Sequence, residues 1–233
     1  MNKEDFIIEV EKLGIKLDEK ELSNLETYYE LLIEYNSHTN LTRIVEKEDV
    51  YLKHFYDSLT LIKAIKLDNQ KLLDIGTGAG FPGLVLKIVF PNLDVTLVDS
   101  LNKRVIFLNE VIDKLKLTGI KTYHARAEEF IKDNREKYDI VTSRAVANLN
   151  MLSELCIPYV KINGYFIPMK SDVENEIILS KNAIKTLGTV IEDTFVFNLP
   201  LDSGKRSLIK IKKISKTSIK YPRKFSEIKK NPL

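Results

Sequence analysis

Cysteine is nearly absent from this chain. Its 233 residues include one, Cys156, and only three histidines, His38, His54 and His124. A single thiol excludes an internal disulfide framework and a cysteine-rich zinc site, so a reducing compartment and no metal are expected. No stretch approaches the roughly 18 uninterrupted apolar residues of a membrane span. The N-terminus, Met1-Asn2-Lys3-Glu4-Asp5, lacks the basic-then-apolar pattern of a signal peptide, so a cytoplasmic location is expected. There is no Gly-Lys-Ser/Thr, which excludes a P-loop, and no internal repeat. What is present is 44% hydrophobic and 30% charged, the balance of a chain that buries a large core. The length suits one domain of ordinary size, or one domain with a small appendage.

The net charge of +3 is unevenly placed. Residues 1–70 carry 9 basic and 15 acidic side chains, residues 71–199 carry 16 of each, and residues 200–233 carry 11 against 2. The chain is therefore acidic, then neutral, then strongly basic. A basic segment is the electrostatic footprint of a polyanion partner, or else a solvated tail.

Residues 1–66 read as a helical extension. Phe6, Val10 and Leu13 keep helical spacing, with Gly14 as a stop. Asp18 caps a second helix with Leu22, Leu25, Tyr29 and Leu32 on one face. Glu46–Ile65 resumes the helical period. Residues 67–215 then alternate apolar runs with amphipathic helices. Strands are expected at Lys71–Ile75, Asp94–Val98, Ile120–His124, Tyr138–Thr142 and Gly164–Met169. Helices are expected at Pro82–Val89, Asn102–Leu115, near Glu128–Lys132, Asn148–Ile157 and Asp172–Leu187. Val190–Phe197 and Ser207–Lys213, joined by a turn, read as an antiparallel hairpin. Such alternation implies an α/β fold, a parallel sheet with helices on both faces. Residues 216–233, without a clear period, read as a basic tail.

The most informative stretch is Asp74-Ile75-Gly76-Thr77-Gly78-Ala79-Gly80-Phe81-Pro82-Gly83. A strand runs into a glycine-rich turn that opens a helix, the place where doubly wound sheets bind ligands. Glycine suits positive φ and leaves room for a ligand on the backbone; a tight turn without ligand is the plain alternative. Asp99 follows the next strand, 23 residues after Gly76, where an acid accepts hydrogen bonds from both hydroxyls of a ribose. It also suits a helix cap. Loop and acid together imply a nucleoside-containing cofactor held by Gly76, Gly78 and Asp99. The spacing is G-x-G-x-G, not the dinucleotide G-x-G-x-x-G, and Asp74 suits an ammonium group better than a pyrophosphate. These features resemble motif I of the S-adenosylmethionine-dependent methyltransferases with a Rossmann-like seven-stranded sheet. By that resemblance Ala127-Glu128 lies near the adenine.

A closer resemblance extends along nearly the whole chain. It rests on Asp74–Gly83, on Asp99-Ser100-Leu101-Asn102-Lys103-Arg104 with Phe107-Leu108, and on Ser143-Arg144-Ala145. It continues through Asn40-Leu41-Thr42, His54-x-x-Asp57-Ser58-Leu59, Arg206-Ser207-Leu208, Tyr221-Pro222-Arg223-Lys224 and Pro232-Leu233. Together these resemble the bacterial small-subunit rRNA guanine-N7 methyltransferases, whose older name is glucose-inhibited division protein B. The chain departs from that pattern at Arg43 and Ser171. The resemblance implies methyl transfer from S-adenosyl-L-methionine to N7 of one guanine in a decoding-region loop of 16S rRNA, on the small ribosomal subunit or an assembly intermediate. It implies cofactor positions at Gly76, Phe81, Ala127, Glu128 and Arg144. It places Asn40, His54, Arg126 and Arg206 at the active-site mouth. A monomer is expected. The alternative is a methyltransferase of a small molecule or a protein.

The residue chemistry agrees with that expectation. Guanine N7 carries a free lone pair at neutral pH and needs no general base, so the enzyme chiefly aligns the reactants. Arg144 is therefore read as a positioning group, and no residue is assigned as acid or base. After the fourth strand the chain has Ser-Arg-Ala-Val, where methyltransferases of exocyclic amines often carry Asn/Asp-Pro-Pro-aromatic. Cys156 sits among Leu152, Leu155 and Ile157 and reads as core, which argues against cysteine-dependent methylation of pyrimidine carbon. N7 lies in the deep groove of A-form RNA, beyond the reach of side chains, so the target belongs to a loop or is splayed out. Arg206, Lys210, Lys212 and Lys213 are expected to face phosphates along one strand. Phe81 is expected against the cofactor, a base or the core.

Overall fold

The computed structural model describes residues 1–144 and 147–233. α1 (Lys3–Lys12) and α2 (Glu19–Thr39) come first. Asp18 caps α2 in a reciprocal box: its Oδ1 accepts from Glu21 N–H at 2.7 Å, and the Glu21 carboxylate accepts from Asp18 N–H at 2.8 Å. The buried face of α2 is Leu25, Tyr28 and Leu32, so Tyr28 replaces the expected Tyr29. Tyr28 stands three residues after Leu25 and four before Leu32, and Tyr29 is turned about 100° away. A continuous helical stretch follows: α3 (Lys47–Val50), a π-helical segment (Tyr51–Tyr56), α4 (Asp57–Leu59) and a 3₁₀ turn (Thr60–Lys63).

The α/β part contains β1 (Lys71–Ile75), α5 (Gly83–Val89), β2 (Asp94–Asp99), α6 (Asn102–Leu115), β3 (Ile120–His124) and α7 (Ala127–Phe130). It continues with β4 (Tyr138–Arg144), α8 (Leu149–Cys156), β5 (Val160–Lys170), α9 (Glu174–Leu179), α10 (Lys181–Thr186), β6 (Thr189–Asn198) and β7 (Lys205–Lys213). Among the described residues the strands form one seven-stranded sheet, ordered β3-β2-β1-β4-β5-β7-β6. β1 to β5 pair in parallel, and β7 pairs antiparallel with β5 and β6. The strand order reverses at β1/β4, so a crevice opens at the carboxyl ends of these strands.

Alternate strand residues feed two cores, as the two-residue period requires. Leu72, Leu97, Ile140 and Ile167 join Phe6, Tyr28, Phe55 and Phe107 on one face. Leu73, Val98, Val141 and Phe166 join Leu152, Cys156, Ile184 and Ile228 on the other. The N-terminal helices thus share a core with the sheet.

Two further expectations are corrected. The single helix over Asp172–Leu187 is two, because Ser180, with ψ near 0°, turns its hydroxyl back onto Glu176 O at 2.6 Å and bends the chain between α9 and α10. The C-terminal segment is not a free tail. Tyr221 and Ile228 are buried, α11 (Phe225–Lys230) packs on the second core, and the Arg223 guanidinium grips fully buried Glu154 through two bonds of 2.8 and 2.6 Å. Few apolar anchors and one ion pair fix this segment, which leaves no period to read.

Candidate active site

The turn after β1 is built on three glycines at positive φ, Gly76, Gly78 and Gly80. A Cβ at Gly80 would stand 2.6 Å from the Tyr28 hydroxyl oxygen, whereas a Cβ at Gly78 would meet nothing within 4 Å. Gly80 is small because the core presses on it, and Gly78 is small where the crevice is open. Asp74, fully buried, ties the turn together: its Oδ2 accepts from the Thr77 hydroxyl at 2.7 Å and from Gly83 N–H at 2.9 Å. Burial pushes its carboxyl up to about 6. Asp74 therefore turns Oδ2 to the inside of the loop, while its buried Oδ1 has no hydrogen-bond partner among the described residues.

Asp99, at the end of β2, is also buried. Its Oδ2 accepts from Gly78 N–H and its Oδ1 from Leu101 N–H, both at 2.9 Å. Arg104 spans both oxygens at 3.2 and 3.4 Å, long for a charged hydrogen bond, and its buried Nε has no partner. Arg104 is thus the weakest-held partner of Asp99, the one that a ribose diol would displace.

The other wall comes from the π-helical segment. His54 is buried and stacks on Phe81 with ring centroids 4.2 Å apart. The Arg144 guanidinium, from the end of β4, lies 5.2 Å from the centre of the same ring. Arg144 donates to Lys53 O at 2.9 Å, to Asp57 Oδ2 at 3.0 Å and to His54 Nδ1 at 3.0 Å. His54 Nδ1 lies 3.1 Å from Lys53 O as well, and Nε2 lies 3.0 Å from the Thr42 hydroxyl, so both ring nitrogens are engaged within the protein. Burial, with Arg144 adding to it, pushes the imidazole down to about 3. Asp57, 1% exposed, completes the cluster: its Oδ1 accepts from Arg206 Nε, on β7, at 2.9 Å. One buried carboxylate thus joins arginines from two different strands.

His54 holds a folded-state value below its ordinary 6.5, so between about 3 and 6.5 the unfolded chain binds a proton that the folded chain refuses. Its stabilising contribution is complete above 6.5 and is lost as the pH falls through that window. The expected outcome is a melting temperature that falls with acid there, with a shallower slope in His54→Gln. The pH profile of kcat is expected to show no inflection from His54 near 6.5.

Two adjoining cavities, each of about 390 Å³, open around this cluster. The first is lined by Gly76, Gly78, Phe81, Asp99, Arg104 and Thr42. The second is lined by Lys53, Asp57, Met169, Lys170, Glu176 and Arg206. His54 and Arg144 line both. The structure therefore gathers most of the expected site residues, but not all. Ala127 and Glu128 begin α7 and line neither cavity, although the Tyr159 hydroxyl donates to Ala127 O. Asn40 is an exposed left-handed cap of α2, two residues before Thr42. Arg126 is exposed ahead of α7 and is not brought together with His54 and Arg206. Ala145, the end of the Ser143-Arg144-Ala145 match, lies outside the described residues. Lys213 does not face phosphates: it is fully buried, 3.3 Å from Glu136 and 3.2 Å from Ile157 O. On a strand, position 213 points opposite to 206, 210 and 212. Asp57, Arg104, Lys170 and Glu176 were not anticipated as site residues. The signal for Asp57 was the His54-x-x-Asp57 spacing, which sets both residues on one helix face.

The model of a family described as rRNA small subunit methyltransferase G matches residues 21–202. The ribosomal RNA small subunit methyltransferase G of Bacillus licheniformis is 51% identical over 237 aligned positions, covering 100% of this chain and 99% of that protein. That of Bacillus subtilis is 47% identical, with the same coverage. Among solved structures, a SAM-dependent methyltransferase from Aquifex aeolicus superposes with a TM-score of 0.56 at 15% identity, over 74% of this chain and 97% of that one. A precorrin-6y C5,15-methyltransferase from Geobacter metallireducens superposes at 0.52 and 14% identity, over 68% and 87%. These two likenesses concern the fold, the α/β methyltransferase sheet expected from the sequence. With a family model covering most of its length and relatives near half identical from end to end, the chain belongs to the rRNA small subunit methyltransferase G family.

Proposed function

We propose that the protein transfers the methyl group of S-adenosylmethionine to N7 of one guanine in 16S rRNA of the small subunit, acting in the cytoplasm as a monomer. The observation that carries this reading is the wall between the cavities. It offers a guanidinium, an aromatic ring and an imidazole with both nitrogens engaged, and among the described residues of that wall no free base. A wall of that kind suits a nucleophile that has no proton to lose, as guanine N7 does. An exocyclic amine or a ribose hydroxyl would need an acceptor there.

The residues of the first cavity fit the cofactor. Gly78 leaves open space over the loop, Asp99 supplies a buried carboxylate for hydroxyls, and Arg104 is held loosely enough to yield. Bound S-adenosylmethionine supplies an electrophilic methyl on a sulfonium. Arg144 and Phe81 hold the boundary where the two reactants meet, and the second cavity receives the base. Positioning of this kind contributes up to about 7–11 kcal/mol in ideal cases. Arg206 at the second cavity and the surplus of 9 positive charges in residues 200–233 support an RNA partner.

The test is labelled methyl transfer into 30S subunits and 16S rRNA from cells lacking the activity, followed by cleavage specific for N7-methylguanine. One labelled guanine is expected. Label confined to protein or small molecules would overturn the proposal. Within the same assay system, Arg206→Ala is expected to weaken RNA binding roughly tenfold, the effect of about 1.4 kcal/mol, and to change cofactor affinity less. Lys213→Met is expected to leave RNA affinity unchanged, since its ammonium is sealed inside the protein. Filter binding and calorimetry read both, and equal losses for RNA and cofactor in Arg206→Ala would contradict the assignment.

A further inference from the structure

The second cavity contains two carboxylates, Asp57 and Glu176. Asp57 has both oxygens committed, one to Arg144 and one to Arg206. Among the described residues Glu176 is held through one oxygen. Its Oε2 accepts from Leu149 N–H at 2.6 Å, at the start of α8, and from Lys170 Nζ at 2.8 Å. These two contacts anchor the carboxylate of this cavity-lining residue and, among the described residues, leave Oε1 without a partner.

A guanine that offers N7 to the shared wall of His54 and Arg144 turns its Watson–Crick edge toward the rest of the cavity. That edge carries two adjacent donors, N1–H and the 2-amino group. Of the described lining residues outside the shared wall, Lys53, Lys170 and Arg206 are cations, Ile44 and Met169 are apolar, and Ser171 offers an uncharged hydroxyl. Asp57 is already satisfied, which leaves Glu176 as the anionic acceptor for a donor edge. An adenine would place an acceptor, its N1, against the same carboxylate, and the contact would be repulsive. Enzymes that act on an extruded base read it by hydrogen bonds to this edge.

We infer that Glu176 is the residue that selects guanine, accepting from N1–H and the 2-amino group of the target base. The inference rests on the guanine-N7 reading above. Its test uses small subunits reconstituted with splint-ligated 16S rRNA in which the target guanine is replaced by inosine. Inosine keeps N7, O6 and N1–H and lacks only the 2-amino group. The wild-type protein is expected to lose about tenfold in kcat/KM on inosine, the size of one lost charged hydrogen bond. Glu176→Gln is expected to lose a similar factor on guanine and to show less than about a twofold difference between guanine and inosine. The glutamine still has an oxygen to accept from Leu149 N–H, and the guanine-to-inosine ratio does not depend on the fraction of active protein. A wild type indifferent to inosine, or a Glu176→Gln variant with the wild-type ratio, overturns the inference while leaving the methyltransferase reading intact. A wild type that methylates neither RNA overturns both.

Discussion

Asp57→Ala is expected to abolish methyl transfer and to lower stability by about 3–5 kcal/mol, the usual cost of removing one partner from a buried ion pair. The side chain is 1% exposed and is the counter-ion of Arg144 and of Arg206. Without it two guanidinium groups face each other in a largely desolvated space. Arg144 loses its one charged partner of the three that hold it beside Phe81, and Arg206 loses its anchor at the mouth of the second cavity. Asp57→Asn keeps the shape and one acceptor oxygen, so it is expected to fold with a smaller loss and still to transfer methyl groups slowly. Urea denaturation and rRNA methylation measured on both variants check this. An Asp57→Ala protein with wild-type stability would show that the arginines do not depend on this carboxylate.

The contrast between Asp57 and the glycine turn shows what a sequence reveals of such a site. Gly76, Gly78, Gly80 and Asp99 were legible because the chemistry is local: a strand, a turn and the end of the next strand, with spacing fixed by the βαβ unit. The sheet was legible for the same reason, since its apolar runs alternate with helices of ordinary length. Asp57 was not, because its partners stand 87 and 149 residues further along the chain and only the fold brings them together. Arg104 was missed for a different reason. It belongs to the stretch that follows Asp99, but its part depends on where its guanidinium turns, and spacing does not encode that. The misplacing of Lys213 was avoidable, because odd and even positions of one strand point to opposite faces. The C-terminal segment looked like a tail because a handful of anchors, Tyr221, Arg223 and Ile228, hold it at unrelated intervals.

Gly78→Val is expected to cost at least about a hundredfold in S-adenosylmethionine affinity, or roughly 2.7 kcal/mol, with the fold retained. The residue has a φ of +63°, and a Cβ there meets no protein atom within 4 Å. The added side chain therefore enters the first cavity and not the core. Its backbone strain is of the order of 1–2 kcal/mol, which a domain of this size tolerates. Gly80→Ala is the counter-case. Its Cβ would stand 2.6 Å from the Tyr28 hydroxyl oxygen and 2.9 Å from Leu84 Cβ, and its φ of +106° is unfavourable for any side chain. Tyr28 cannot give way freely, because its ring packs on both Phe55 and Phe81 and its hydroxyl donates to Ala79 O. Overpacking there is expected to cost about 1–3 kcal/mol beyond the backbone strain and to appear in the denaturation midpoint. Calorimetric titration of cofactor and urea unfolding, measured on both variants, separate the two cases. If Gly78→Val binds the cofactor as the wild type does, the space above the glycine turn is not where the cofactor lies.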